Sequence, residues 1–87
     1  MSFDIAHDPD QSEFYLESDA GRACLAYRKL GQDTLDLYHT SVPESLQDQG
    51  IAAALTEHAL AYAKEKGYTV QPTCPYVQHY MSEHGLI

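Results

Sequence analysis

Along the first forty residues, short runs of alternating apolar and polar positions are separated by turn residues at regular intervals, the pattern of a strand meander. Phe3 and Ile5 begin it, and Asp8-Pro9-Asp10 breaks the chain. Phe14 and Leu16 then alternate with Glu13, Tyr15 and Glu17 on a run that ends in the turn residues Ser18-Asp19-Ala20-Gly21. A third run, Ala23 to Lys29, alternates Ala23, Leu25 and Tyr27 with Cys24, Ala26 and Arg28. After the turn Leu30-Gly31-Gln32-Asp33 a fourth run, Thr34 to Thr40, sets Leu35 and Leu37 opposite Asp36 and Tyr38. Connections this short predict antiparallel hairpins.

The period then changes from two to that of a helix. From Gly50 to Lys66 the apolar positions Ile51, Leu55, Ala59 and Tyr62 recur at helical spacing, and six alanines keep the helix propensity high. Gly67 suits the residue after the helix end, and Lys64 and Lys66 complement the negative end of its dipole. Tyr68-Thr69-Val70 reads as a short strand whose length Pro72 limits. Pro75 suits the first position of a second helix, with Tyr76, Val77, Tyr80 and Met81 as its apolar stripe and Gln78, Ser82 and Glu83 on its wet side. The predicted class is α+β, in the order β-β-β-β-α-β-α, with residues 1–87 forming one domain.

Composition narrows what such a domain can do. Eighty-seven residues leave room for one small core. Five Lys and Arg stand against thirteen Asp and Glu, a net charge of −8, which argues against nucleic acid and anionic membrane as partners. Cys24 and Cys74 lie fifty positions apart and form no disulfide framework, so free thiols in a reducing compartment are expected. The first residues carry acids where a signal peptide carries bases, and the longest apolar stretch, Ile51 to Leu55, is too short to cross a membrane; a cytoplasmic location follows.

Three places invite chemistry. The segment Val42 to Ala52 leaves a strand and enters the long helix: Gly50 lets a ligand approach the backbone, and the first helical amides, having no intrahelical acceptor, suit an anion. An ordinary loop-to-helix entry has the same appearance, and the single glycine does not match a Walker or Rossmann loop. Cys74, just before Pro75, falls at a helix N-cap that lowers a thiol pKa, although a lone cysteine is also a common small buried hydrophobe, the reading that fits Cys24. His39, near the end of the fourth strand, is a candidate base or proton relay, although most isolated histidines are neither. Of the other histidines, His58 is expected to be partly buried, His79 and His84 are on different helix faces and make no zinc site, and His7 offers nothing further.

Jointly, Tyr38-His39-Thr40-Ser41-Val42-Pro43, Gln47-Asp48-Gln49-Gly50-Ile51-Ala52 and Cys74-Pro75-Tyr76-Val77 resemble the short acetyltransferase-like family of the GNAT superfamily, with Phe14, Tyr27 and the hairpins in register. The superfamily motif of Arg or Gln, two residues, Gly, one residue, then Gly or Ala falls on Gln47, Gly50 and Ala52. The resemblance implies a minimal GNAT fold that binds acetyl-CoA. Its pyrophosphate would meet the backbone amides of Gln47 to Ala52, including Asp48 and Gln49, and its pantetheine arm would lie near Thr40, Ser41 and Val42. The same resemblance implies strands that splay apart around the thioester, with His39 and Cys74 flanking the gap as the catalytic side chains.

The chain departs from that pattern in places. Asp48 puts a carboxylate where relatives carry glycine or a base, Cys74 stands in place of the usual Asn, and Met81 takes the place of the tyrosine acid, with Tyr80 one residue earlier. The acceptor side is expected to be open, suiting a small-molecule or protein amine attracted by the acidic surface, on a monomer or weak homodimer. Transfer by direct attack, transfer through an acetyl-Cys74 intermediate and a non-catalytic acyl-CoA-binding or interaction module are the alternatives.

Overall fold

A computed structural model describes residues 4–87. In chain order it contains β1 (Ala6–Asp8), β2 (Glu13–Ser18), β3 (Gly21–Leu30), β4 (Thr34–Ser41), a 3-10 turn (Glu44–Leu46), α1 (Ile51–Lys66), β5 (Thr69–Pro72) and α2 (Pro75–Glu83). This is the β-β-β-β-α-β-α order expected from the alternating and helical runs, in a mixed sheet consistent with a minimal α+β GNAT-like fold. The expected strand start at Phe3 lies outside the described residues, and Ile5 precedes β1.

The five strands lie side by side in sequence order. The first four pair antiparallel through short turns, while β5 lies parallel to β4 because α1 carries the chain back across the sheet. Strand alternation sends Phe14, Ala23, Leu25, Tyr27, Leu35 and Leu37 to one face, where they form a single core with Ile51, Leu55, Ala59 and Ala63 of α1 and Val77 and Met81 of α2. Leu25, Leu35, Leu37 and Leu55 are completely buried, each contributing roughly 1.5–3 kcal/mol by leaving water.

Among the described residues the other face of the sheet carries no helix, and it is held by charges. Arg22 pairs with Glu13 and Glu17 and lies over the Tyr15 ring, 4.3 Å from its centroid. Arg28 sits between Asp36, with Nε 2.9 Å from Oδ2, and the Tyr38 ring, 4.7 Å from its centroid. Asp36 stands on the face opposite Leu35 and Leu37, as the alternation expects, yet it is not in water. It is only 2% exposed, because Arg28 covers it from β3 and Thr73, in the β5–α2 connection, donates its hydroxyl to Oδ1 at 2.5 Å.

A β-bulge decides the orientation of the end of β4. Tyr27 pairs with Leu37 and Ala26 with His39, so Tyr38 is an extra residue on β4. Without it, His39 and Ser41 would share the core face with Leu35 and Leu37. The extra residue reverses the parity, so Thr40 faces the helices while His39, opposite Ala26, and Ser41, opposite Cys24, face the helix-free side.

Candidate functional site

Pairing between β4 and β5 ends at Leu37 and Pro72, although β4 itself continues to Ser41. Pro72 brings no amide to extend the ladder. Beyond it the chain turns through Thr73 into α2, and the Cys74 amide donates to the Leu37 carbonyl at 2.9 Å. The strands therefore part beside the start of α1, leaving a cleft of about 490 Å³. Thr40 and Val42 line it from β4 and the residues just after, Gln47, Asp48 and Gly50 from the connecting loop, and Ile51 and Ala52 from the first turn of α1. These are seven of the nine positions expected to hold a cofactor; Ser41 and Gln49 do not line the cleft.

The loop before α1 is closed by its own hydrogen bonds. Leu46 N donates to Pro43 O at 2.8 Å, Gln47 Nε2 to Val42 O at 3.1 Å and Gln49 Nε2 to Ser45 O at 3.4 Å. Leu46 is buried and anchors the 3-10 turn, while Ser45 Oγ ties it to the Ala20 carbonyl at 3.3 Å. Asp48 and Gly50 both take left-handed backbone, with φ 66° and 82°, conformations that Asp tolerates and Gly adopts without strain. A Cβ on Gly50 would meet nothing within 4 Å, so the backbone there is open to a ligand. The first helical bond runs from Ala54 N to Gly50 O at 3.0 Å, leaving the amides of Ile51, Ala52 and Ala53 with no intrahelical acceptor and no side-chain cap. Aligned amides at the positive end of a helix form an anion-binding site.

At the inner edge of the cleft, Thr40 Oγ1 lies 3.4 Å from Cys74 Sγ. Cys74 is the N-cap of α2, is 6% exposed and does not itself line the cleft; Thr40 and Tyr76 do. Burial pushes the Cys74 thiol up, but the Thr40 hydroxyl and the amides of Val77, Tyr76 and Thr40 pull it down by more, leaving it below its ordinary value. No side-chain capping bond joins the sulfur to α2, yet the amides of Tyr76 and Val77 at the helix start face it closely enough to favour the thiolate. Tyr76, placed by sequence among core-stripe residues, is exposed and forms a cleft wall. Its hydroxyl is pushed up by burial and, to a smaller extent, by Tyr80 and Glu83, and so stays protonated at neutral pH.

A family model described as GCN5-related N-acetyl-transferase matches residues 13–86. The chain belongs to this family. Protein NATD1 of Xenopus tropicalis is 33% identical over 87 residues, covering 98% of this chain and 80% of its own. Protein NATD1 of Mus musculus and of Homo sapiens are each 33% identical over 84 residues, covering 94% of this chain and 76% and 74% of theirs.

Within this GCN5-related N-acetyltransferase fold, the two side chains expected to flank the gap are not brought together. The Tyr38 bulge turns His39 to the helix-free face, where it is exposed, whereas Cys74 is buried on the helix side. Thr40 takes the place beside Cys74 that the resemblance gave to His39. Met81 is buried in the core, and Tyr80 stacks on His84 with ring centroids 4.1 Å apart, so neither lines the cleft. His58 is exposed instead of partly buried. His79 pairs with Glu83 at 2.9 Å, and His84 Nδ1 lies 2.8 Å from the Tyr80 carbonyl. His7 has more to do than its sequence context suggests: it stacks on Phe14 with centroids 4.3 Å apart and shares a 2.6 Å hydrogen bond with the Tyr27 hydroxyl. A cue for Tyr76 was present in its position two residues after the α2 N-cap, where side chains flank the helix start, but its apolar ring matched the core stripe equally well.

No helix among the described residues is long and apolar enough to cross a membrane. Among the same residues, no group of three or more His, Cys, Asp or Glu side chains is arranged to hold a metal ion.

Proposed function

We propose that the chain binds acetyl-CoA in the cleft between β4 and α1 and transfers the acetyl group to an amine. The observation that carries this is the set of uncapped amides at Ile51, Ala52 and Ala53, behind an unobstructed Gly50, at the place where β4 and β5 part. Donors without acceptors fit a diphosphate, and the open glycine leaves room for it to approach. Asp48 opposes the fit electrostatically but lies on an exposed loop, where its field is screened.

Bound there, acetyl-CoA supplies an activated acetyl thioester. An amine nitrogen attacks the carbonyl carbon, the new C–N bond forms as the C–S bond breaks, and the amine proton passes to water. Tyr76 O–H donates its proton to the departing sulfur and recovers one from solvent. Like any tyrosine, Tyr76 carries its proton at neutral pH, and its place in the cleft wall supports the role. Thr40 fixes the opposite wall through its bond to Cys74. His39 has no place in this scheme, since it faces the other side of the sheet.

The lowered Cys74 pKa favours a second route, in which the Cys74 thiolate forms an S–C bond to the acetyl group as CoA leaves as its thiolate and takes a proton from solvent; the amine then attacks acetyl-Cys74, releasing the Cys74 thiolate and passing its proton to water. Mass spectrometry after mixing with acetyl-CoA, without acceptor, separates the two. The direct route leaves Cys74 unmodified and Cys74→Ser active; a stoichiometric acetyl adduct supports the intermediate. Calorimetric titration with acetyl-CoA tests the binding itself, and its absence at millimolar concentration overturns the proposal. Binding without transfer across an amine panel leaves an acyl-CoA-binding module. Two free cysteines support a reducing, cytoplasmic setting, and the charge of −8 supports a cationic amine as acceptor, either a small molecule or a protein lysine.

A further inference from the structure

We infer that the cleft recognises the pantetheine–diphosphate part of its ligand and makes no ion pair with the 3′-phosphate of coenzyme A, so that 3′-dephospho-CoA thioesters are equivalent ligands. The inference rests on the acetyl-CoA reading above and goes beyond it to the part of the molecule that is read. A terminal phosphate monoester carries nearly two negative charges, and proteins hold such groups with Arg or Lys forks or ammonium groups.

All five Lys and Arg residues lie among the described residues, and none of them lines the cleft. Arg28 is held by Asp36 and Tyr38 on the helix-free face, and Lys29 lies over the Tyr68 ring, 4.8 Å from its centroid, opposite Leu35. Leu35 is near the start of β4, about 20 Å along the strand from Ser41. Lys64 and Lys66 occupy the last turn of α1, about 20 Å along its axis from Ile51. Arg22 is at the cleft end of the sheet but faces the helix-free side, held by Glu13, Glu17 and the Tyr15 ring. No histidine lines the cleft either.

The attraction that remains comes from the amides of α1, and it fades within the first helical turn. It can act on one anionic group seated against those amides. A second phosphate farther along the ligand meets the field of a protein with net charge −8, and no Lys or Arg of the cleft lining offsets it. The 3′-phosphate therefore adds no affinity, and screening by salt relieves repulsion instead of weakening an ion pair.

Calorimetric or competition titrations of the full chain with CoA and with 3′-dephospho-CoA, at about 20 mM and about 200 mM salt, test this. The expected result is 3′-dephospho-CoA binding within about threefold of CoA or more tightly, with CoA affinity holding or rising as salt increases. CoA binding more than about threefold tighter, with the advantage shrinking in salt, overturns the inference while leaving the acetyl-CoA reading intact. Failure of both ligands to bind overturns that reading and the inference with it. Arg22→Ala is expected to leave CoA affinity unchanged, and a tenfold loss in a folded variant identifies an ion pair and refutes the inference.

Discussion

Thr40 Oγ1 and Cys74 Sγ lie 3.4 Å apart, joining β4 to the start of α2 across the point where the sheet opens. The contact depends on the Tyr38 bulge, which turns Thr40 inward, and on the Cys74 amide, which is bonded to Leu37. It lowers the thiol pKa despite burial. Thr40→Val keeps the shape and removes the donor, so the thiol titrates higher and less thiolate is present at pH 7. The rate of Cys74 alkylation at that pH is expected to fall by about threefold to tenfold, the size of a lost hydrogen bond, while Thr40→Ser restores it. Cys24, on the helix-free face and pushed up by burial and by Glu13, provides an internal reference of low reactivity. An unchanged pH profile in Thr40→Val would show that the hydroxyl does not set the thiol.

Asp48 lines the cleft with left-handed backbone, φ 66°. Asparagine adopts that conformation as readily, so Asp48→Asn removes the charge without straining the loop. It is expected to leave the melting temperature in place and tighten CoA binding by about threefold to tenfold at low salt, consistent with roughly 1 kcal/mol for a screened charge pair. Titration of the two proteins side by side checks this, and weaker binding in the variant would mean that the Asp48 side chain contacts the ligand favourably.

Asp36 locks the connection that delivers Cys74. Its carboxylate accepts hydrogen bonds from Arg28 Nε and the Thr73 hydroxyl, although Arg28 itself is largely exposed. Asp36→Ala leaves those donors without their acceptor and is expected to cost about 1–3 kcal/mol, read as a lower urea midpoint. Because Thr73 immediately precedes Cys74, the same variant should also change the rate of Cys74 alkylation at pH 7. A stability loss with no change in alkylation would confine Asp36 to holding the sheet.

His7 links stability to pH. Burial holds its folded pKa below the ordinary value, with Asp8 opposing to a smaller extent. An imidazole whose folded pKa lies below its unfolded value binds protons more readily in the unfolded chain. The stability it supports is therefore complete above the unfolded pKa, about 6.5, and is lost as pH falls below that value. Urea midpoints from pH 8 to pH 5 should decline more steeply for the natural chain than for His7→Phe, which keeps the stacking on Phe14 and carries no proton. Parallel declines would assign the acid sensitivity to other groups.

The order of elements and the core faces of β2, β3 and β4 up to Leu37 were legible in the chain, because alternation and helical spacing are local and Leu25, Leu35, Leu37 and Leu55 satisfy them without exception. The boundaries of α1 were equally legible, since Gly50 and Gly67 take left-handed backbone at its two ends. So was the loop from Gln47 to Ala52, whose single glycine and helix start are features of consecutive residues. What tertiary structure decided lies beyond the reach of a local period. One extra residue at Tyr38 reversed the parity of the last part of β4, exchanging Thr40 for His39 beside Cys74. Arg28 and Thr73, eight and thirty-seven residues away, buried an aspartate that alternation left in water. The ring of Tyr76 fitted the core stripe by spacing, and only the parting of β4 from β5 exposed it in the wall of the cleft. Periodicity fixes which face a residue takes while a strand stays regular; a bulge, a cross-strand ion pair or a gap between strands is a relation between distant segments, and none of them leaves a periodic signal in the chain.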